Sequence, residues 1–222
     1  MNVVYLFDID GTLLRAGGAG SRAFDRVMHL MHEIAGASEG TLFGGKTDPW
    51  IIDEIYQRHL KRTASDEDVA AFLAHYLPLL EAELVQKPPR VLPAVVETLD
   101  ALAELGDSAI GVATGNVEPA AVLKLRHAGL TGRFGFGGYG SDARDRAALV
   151  AIAIERARAI APNHTEVVVV GDTIHDIAAA RACGATVCAV TTGSDPREAL
   201  LSADAVFDSM DELMPWHRAR FV

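Results

Sequence analysis

The sequence predicts an α/β fold: a doubly wound parallel sheet carrying an all-helical domain inserted after its first strand. Three observations predict it. Short apolar runs at 3–7, 108–114, 165–171 and 185–190 alternate with helical patterns along the second half of the chain, and such alternation specifies a parallel sheet with helices on both faces. The runs are apolar at consecutive positions, as strands buried on both faces require. Between the first run and the others, residues 20–88 read as helical throughout, so they stand outside the alternation.

Val3 to Phe7 is β-branched and aromatic and ends at Asp8-Ile9-Asp10-Gly11-Thr12, which makes it a buried strand closed by a turn. Gly17, Gly18 and Gly20 follow as a flexible joint. Phe24, Val27, Met28, Met31 and Ile34 fall at helical spacing. Asp48-Pro49 reads as an N-cap with proline at the first helical position, followed by a stripe of Ile51, Ile52, Ile55, Tyr56, His59 and Leu60. Ser65 with Asp68 opens a third helix as a capping-box variant, which Pro78 is expected to kink or break. Lys87-Pro88-Pro89-Arg90 reads as the return linker. Helices are then expected near 93–105, 117–128, 145–159 and 174–183. Strands are expected at 108–114, 133–138, 165–171 and 185–190, with a final pair ending near Met214. Residues 1–19 and 89–222 form the α/β core in this reading, and residues 20–88 the helical domain.

Half of the 222 residues are hydrophobic, so the chain is globular. Its formal net charge of −10 argues against general binding to nucleic acid or anionic membranes. Two cysteines, Cys183 and Cys188, do not make a disulfide framework. No signal peptide or spanning segment is read, and a cytoplasmic setting is expected.

Four segments carry candidate chemistry. Asp8 and Asp10, two apart at a strand's carboxyl end, point to the same side where open α/β sheets place ligands. Two converging carboxylates call for a cation or a shared proton, and a hard divalent ion such as Mg²⁺ is the usual solution. Thr114-Gly115-Asn116 ends a strand before a helix opened by Glu118 and Pro119, which suits an anion site built from a hydroxyl and free amides. The four valines 167–170 lead to Gly171-Asp172, with Asp176 one helical turn further on to support a ligand by hydrogen bonding. Arg144 and Arg146 precede the helix over 147–159 and supply a basic group for phosphate and carboxylate.

These segments, in this order, resemble the haloacid dehalogenase superfamily in its phosphatase branch, across the whole chain. The resemblance implies a Rossmann-like core with a mobile helical cap. It makes Asp8 the nucleophile and Asp10 the general acid/base, with Thr114, the Gly115 amide and Asn116 on the phosphoryl group. Mg²⁺ would be held by Asp8, Asp172 and the backbone carbonyl of Asp10, with Asp176 supporting. The family's basic residue is most often lysine; here the role is carried to Arg146, with Arg144 as runner-up. The superfamily's dehalogenases lack the second aspartate of the first motif, so Asp10 directs the reading to phosphoryl transfer.

The polar loop Phe43-Gly44-Gly45-Lys46-Thr47-Asp48 is either a substrate loop, with Lys46 and Thr47 reaching the site, or an ordinary turn. His29, His32 and Glu33 read as a solvated helix face; His175 either touches substrate or lies on the surface. The expected substrate is a small phosphorylated metabolite, with a phosphoglycolate-like acid foremost. The alternatives are a phosphosugar mutase, a phosphonate hydrolase using Lys46, or a non-catalytic phospholigand-binding module.

Overall fold

The computed structural model describes residues 2–106 and 108–222. Six strands form one parallel sheet: β1 (Val3–Phe7), β4 (Ser108–Thr114), β5 (Phe136–Tyr139), β6 (Glu166–Gly171), β7 (Thr186–Val190) and β8 (Ala205–Phe207). Their order is β5-β4-β1-β6-β7-β8, so β1 lies centrally between β4 and β6. Alternation along β1 divides its side chains between two cores. Val3, Tyr5 and Phe7 pack with Val95, Leu99, Leu102 and Leu213 on one face. Val4 and Leu6 pack with Leu149, Val150, Ala153 and Ile177 on the other. The helices α4 (Val95–Glu104), α5 (Glu118–His127) and α9 (Leu213–Phe221) therefore cover one face, and α6 (Arg146–Ile160) and α7 (Ile174–Ala182) the other. A short α8 (Arg197–Leu200) links β7 to β8.

Three helices intervene between β1 and α4: α1 (Ala19–His32), α2 (Asp48–Leu60) and α3 (Asp66–Gln86). Phe24, Ile51, Ile52, Tyr56, Phe72, Tyr76 and Leu80 are buried among them and continue one core of the sheet. The chain leaves and returns through a two-stranded antiparallel ribbon, β2 (Leu14–Arg15) with β3 (Arg90–Val91). The sequence reads these segments as a loose joint and a linker, because two-residue strands have no periodicity of their own.

Three local expectations are corrected. Helix α3 is not broken at Pro78 but runs on through it. Losing one backbone bond there costs about 3 kcal/mol, and buried Phe72, Tyr76, Leu80 and Leu84 on either side outweigh it. The chain does not finish its last element near Met214, since α9 extends to Phe221 with Pro215 in its first turn, where proline is tolerated. The cap of α2 is Thr47, whose hydroxyl accepts from the Trp50 amide, and Asp48 is already helical. Among the described residues no helix is long and apolar enough to cross a membrane.

Candidate active site

The site lies at the carboxyl end of β1. The Asp8 amide still bonds to Val170 O at 2.9 Å, so Asp8 is fixed by the sheet itself. The chain then turns sharply: Leu13 N bonds to Ile9 O and Gly11 N to Leu14 O, both at 2.9 Å. Gly11 makes the turn at φ +87°, and a Cβ there would stand 2.6 Å from Asp172 Oδ2. Only glycine satisfies both demands.

Oxygens of Asp8, Asp172 and Asp176 lie within 4.8 Å of one another, and all three residues are buried. Asp172 directly follows β6, where Thr12 Oγ1 donates to it at 3.1 Å and the Ser194 amide at 3.0 Å. Asp176 forms a reciprocal capping box with Thr173 at the start of α7. Arg146, at the start of α6, places Nη2 3.0 Å from Asp8 Oδ1 and 2.6 Å from Asp176 Oδ1. Burial, with Asp176 and Asp10 adding repulsion, pushes the Asp8 carboxyl up to about 6 against the pull of Arg146. Burial, then the charges of Asp8 and Asp176, pushes Asp172 up to about 8. Three buried carboxylates beside one guanidinium are short of positive charge, and hard oxygen donors so arranged fit a small divalent cation.

The structure brings Asp8, Asp10, Thr114, Gly115, Asn116 and Arg146 to the wall of one cavity of about 250 Å³. Thr114 Oγ1 accepts from the Asn116 amide at 3.3 Å and from its side-chain amide at 2.8 Å, so the Thr114 proton is free to be donated elsewhere. Asn116 also donates to Asp10 Oδ2 at 2.9 Å, so its side chain serves the second aspartate. The Asp10 carboxylate stands apart from the Asp8–Asp172–Asp176 cluster and is 41 % exposed. Arg144 points away: its guanidinium reaches Asp66 at 3.3 Å, and its carbonyl accepts the Thr47 hydroxyl.

Helices α1–α3 close the cavity with Phe24, Ile51 and Tyr76. The loop over 43–48 reaches the core at several points. Arg146 donates to Gly45 O at 3.3 Å, and the Asp48 amide to Gly115 O at 2.8 Å. A Cβ on Gly115 would fall 2.0 Å from Lys46 O. Lys46 lines the cavity, with its ammonium 2.5 Å from Glu54. Thr47 does not line it; its hydroxyl is taken by Arg144 O and the Trp50 amide. Trp50 meets His175 edge to face at 6.0 Å, so His175 packs against α2 and does not line the cavity. His32 bonds to Tyr56, away from the site.

Two polar residues were not read from the sequence as part of the site. Lys124, on α5, is 6 % exposed, and its ammonium lies 2.5 Å from Asp10 Oδ2. It shares a helix face with buried Ala120 and Ala121, and a lysine on an apolar face is the signal that could have found it. Asp48 is buried and accepts from the Val117 amide at 2.8 Å, spanning from α2 to the loop after β4. Burial raises its carboxyl to about 6 against the pull of Lys124.

Comparison with known proteins agrees with this architecture. The family model for haloacid dehalogenase-like hydrolases matches residues 4–184. A phosphoglycolate phosphatase of Agrobacterium fabrum (strain C58) is 30 % identical over 95 % of this chain and 90 % of its own length. One from Salmonella typhi is 25 % identical over 94 % and 90 %. A predicted phosphatase from Clostridium acetobutylicum shares the fold, with TM-score 0.73 at 19 % identity and 98 % of each chain covered. From its parallel sheet, its acid cluster and these matches, the chain belongs to the haloacid dehalogenase-like hydrolases.

Proposed function

We propose that the protein is a Mg²⁺-dependent phosphatase that hydrolyses a small organic phosphate monoester through an aspartyl-phosphate on Asp8. The observation that carries this reading is the placement of Asp8: buried at the end of β1, within the three-carboxylate cluster, and 3.0 Å from Arg146. Asp8, Asp172 and the Asp10 backbone carbonyl would hold the metal, with Asp176 supporting through Arg146. A divalent cation bound there neutralises carboxylate and phosphate charge and orients the phosphoryl group.

Asp8 attacks phosphorus, forming an Asp8–phosphorus bond as the ester bond breaks, and Asp10 gives its proton to the departing oxygen. A water oxygen then attacks phosphorus, its proton passes to Asp10, and the Asp8–phosphorus bond breaks. Thr114, the Gly115 amide and Arg146 stabilise the equatorial oxygens as charge develops. Residues 20–88 act as a cap that excludes bulk water during these steps. The setting is cytoplasmic in this proposal.

Phosphoglycolate heads the candidate substrates. Both relatives named above are phosphoglycolate phosphatases, and a substrate carboxylate would compete with Glu54 for Lys46. The cavity size supports small esters over phosphoproteins. The deciding test is kcat/KM across a panel of phosphoglycolate, sugar phosphates and nucleoside monophosphates, with and without a sugar bisphosphate activator. Mg²⁺-dependent release of phosphate from phosphoglycolate above the others supports the reading. Turnover that requires the bisphosphate and transfers phosphate between sugar positions would replace it with a mutase. Binding without turnover of any member would leave a phospholigand-binding module.

A further inference from the structure

Lys124 is a buried cation to which the four motif segments give no task. Burying an ammonium is costly unless it is compensated, and its compensation is specific. The ammonium lies 2.5 Å from Asp10 Oδ2 and 2.6 Å from Asn116 Oδ1. Asn116 in turn donates its side-chain amide to the same Asp10 oxygen at 2.9 Å. Two donors thus converge on Oδ2, and neither engages Oδ1 of an aspartate that lines the cavity. Asn116 is itself held from both sides. Its amides bond to Thr114 Oγ1, and the turn that carries it is clamped by Asp48, which donates to Gly115 O and accepts from Val117 N, both at 2.8 Å.

We propose that Lys124, acting with Asn116, is a positioning residue for proton transfer by Asp10. This rests on the reading of Asp10 as the general acid/base. The pair pins one carboxylate oxygen, so the other meets the ester oxygen in the first step and the attacking water in the second. The proton passes from Asp10 to the departing alkoxide, then from water to Asp10. Lys124 itself neither gains nor loses a proton. A proton donor displaced by a fraction of an ångström loses efficiency, because transfer needs hydrogen-bond reach.

The test compares wild type, Lys124→Met, Lys124→Arg and Asn116→Ala on p-nitrophenyl phosphate and on phosphoglycolate. An aryl oxide departs without a proton and an alkoxide does not, so the two substrates separate the first step from the second. With phosphoglycolate, Lys124→Met should lower kcat at least about tenfold, with KM changed less than about twofold. With the aryl ester it should show a burst approaching about one equivalent of nitrophenolate, followed by slow turnover as the phosphorylated enzyme accumulates. Lys124→Arg should recover part of kcat, and Asn116→Ala should reproduce the split while Lys124 remains in place. A Lys124→Met protein with raised KM, weakened inhibition by inorganic phosphate and unchanged kcat would make the lysine a phosphate ligand and overturn the proposal. Equal loss on both substrates without a burst, tracking a fall in Tm, would overturn it in favour of a folding role. An inactive wild type would instead remove the phosphatase reading beneath it.

Discussion

Arg146 and Asp176 form a buried ion pair, 2.6 Å from Nη2 to Oδ1, and the same nitrogen lies 3.0 Å from Asp8. Nε also donates to Asp176 Oδ1, at 3.0 Å, so the guanidinium is aimed at Asp8 by an acid on another helix through a two-nitrogen fork that lysine does not possess. Arg146→Met should lower kcat/KM by about 10² to 10³. Arg146→Lys should recover only part of that loss, because one ammonium cannot reproduce the paired Nε and Nη2 contacts to Asp176 while facing Asp8. Steady-state kinetics with the apparent affinity for inorganic phosphate would check this; full activity in Arg146→Lys would dismiss the need for the fork.

Gly193 packs flush on Asp172. A Cβ there would lie 1.6 Å from Oδ2, so even alanine must displace the carboxylate. Gly193→Ala should raise the Mg²⁺ concentration for half-maximal activity by about tenfold or more, the scale seen when a ligand's support is removed. A Mg²⁺ titration of activity, paired with a melting curve, separates this from global unfolding.

The buried acids fix the sign of the pH dependence of metal-free stability. The carboxyls of Asp8 and Asp48 stand near 6, and that of Asp172 near 8, all above the ordinary value of 3.8. Between those limits the folded state keeps protons that the unfolded chain has released, so stability falls as pH rises. Melting temperature in EDTA should drop from pH 5 to pH 8.5, and Mg²⁺ should restore most at the alkaline end. Asp172→Asn should flatten the slope. A melting temperature that climbs with pH in EDTA would contradict the assignment of these groups.

The loop over 43–48 meets the core through glycine. A Cβ on Gly115 would stand 2.0 Å from the Lys46 carbonyl oxygen, so Gly115→Ala should hold the loop off the site. KM is expected to rise about tenfold or more and kcat to fall, while the melting temperature changes by only a few degrees. Thr47→Ala, which loses the bond to Arg144 O, should move in the same direction less strongly. Unchanged KM in both variants would deny the loop any part in substrate binding.

What the sequence revealed, and what it hid, follows from locality. The strands 3–7, 108–114 and 165–171 announce themselves by a continuous apolar stretch, and the candidate residues Asp8, Thr114 and Asp172 stand directly at their ends. Arg146 was legible as the residue opening a helix, but choosing it over Arg144 required knowing which side of the α6 start faces Asp8. Lys124 was hidden because it stands about two helical turns beyond Asn116, beside Arg126 and His127, where lysine reads as solvated. Asp48 was hidden differently: next to Pro49 it looks like a helix cap, and its partner, the Val117 amide, lies in another part of the chain. The β2–β3 ribbon depends on pairing across the whole helical insertion, which no local pattern encodes.

In the proposed mechanism Asp8 carries the phosphoryl group. The most direct test is hydrolysis of p-nitrophenyl phosphate by wild type and Asp8→Asn, with and without Mg²⁺, with mass measurement of the acid-quenched protein. Turnover should need Mg²⁺ and vanish in Asp8→Asn, and a wild-type peptide containing Asp8 should carry a phosphate adduct. Wild-type rates in Asp8→Asn, or an adduct on any other residue, would contradict it.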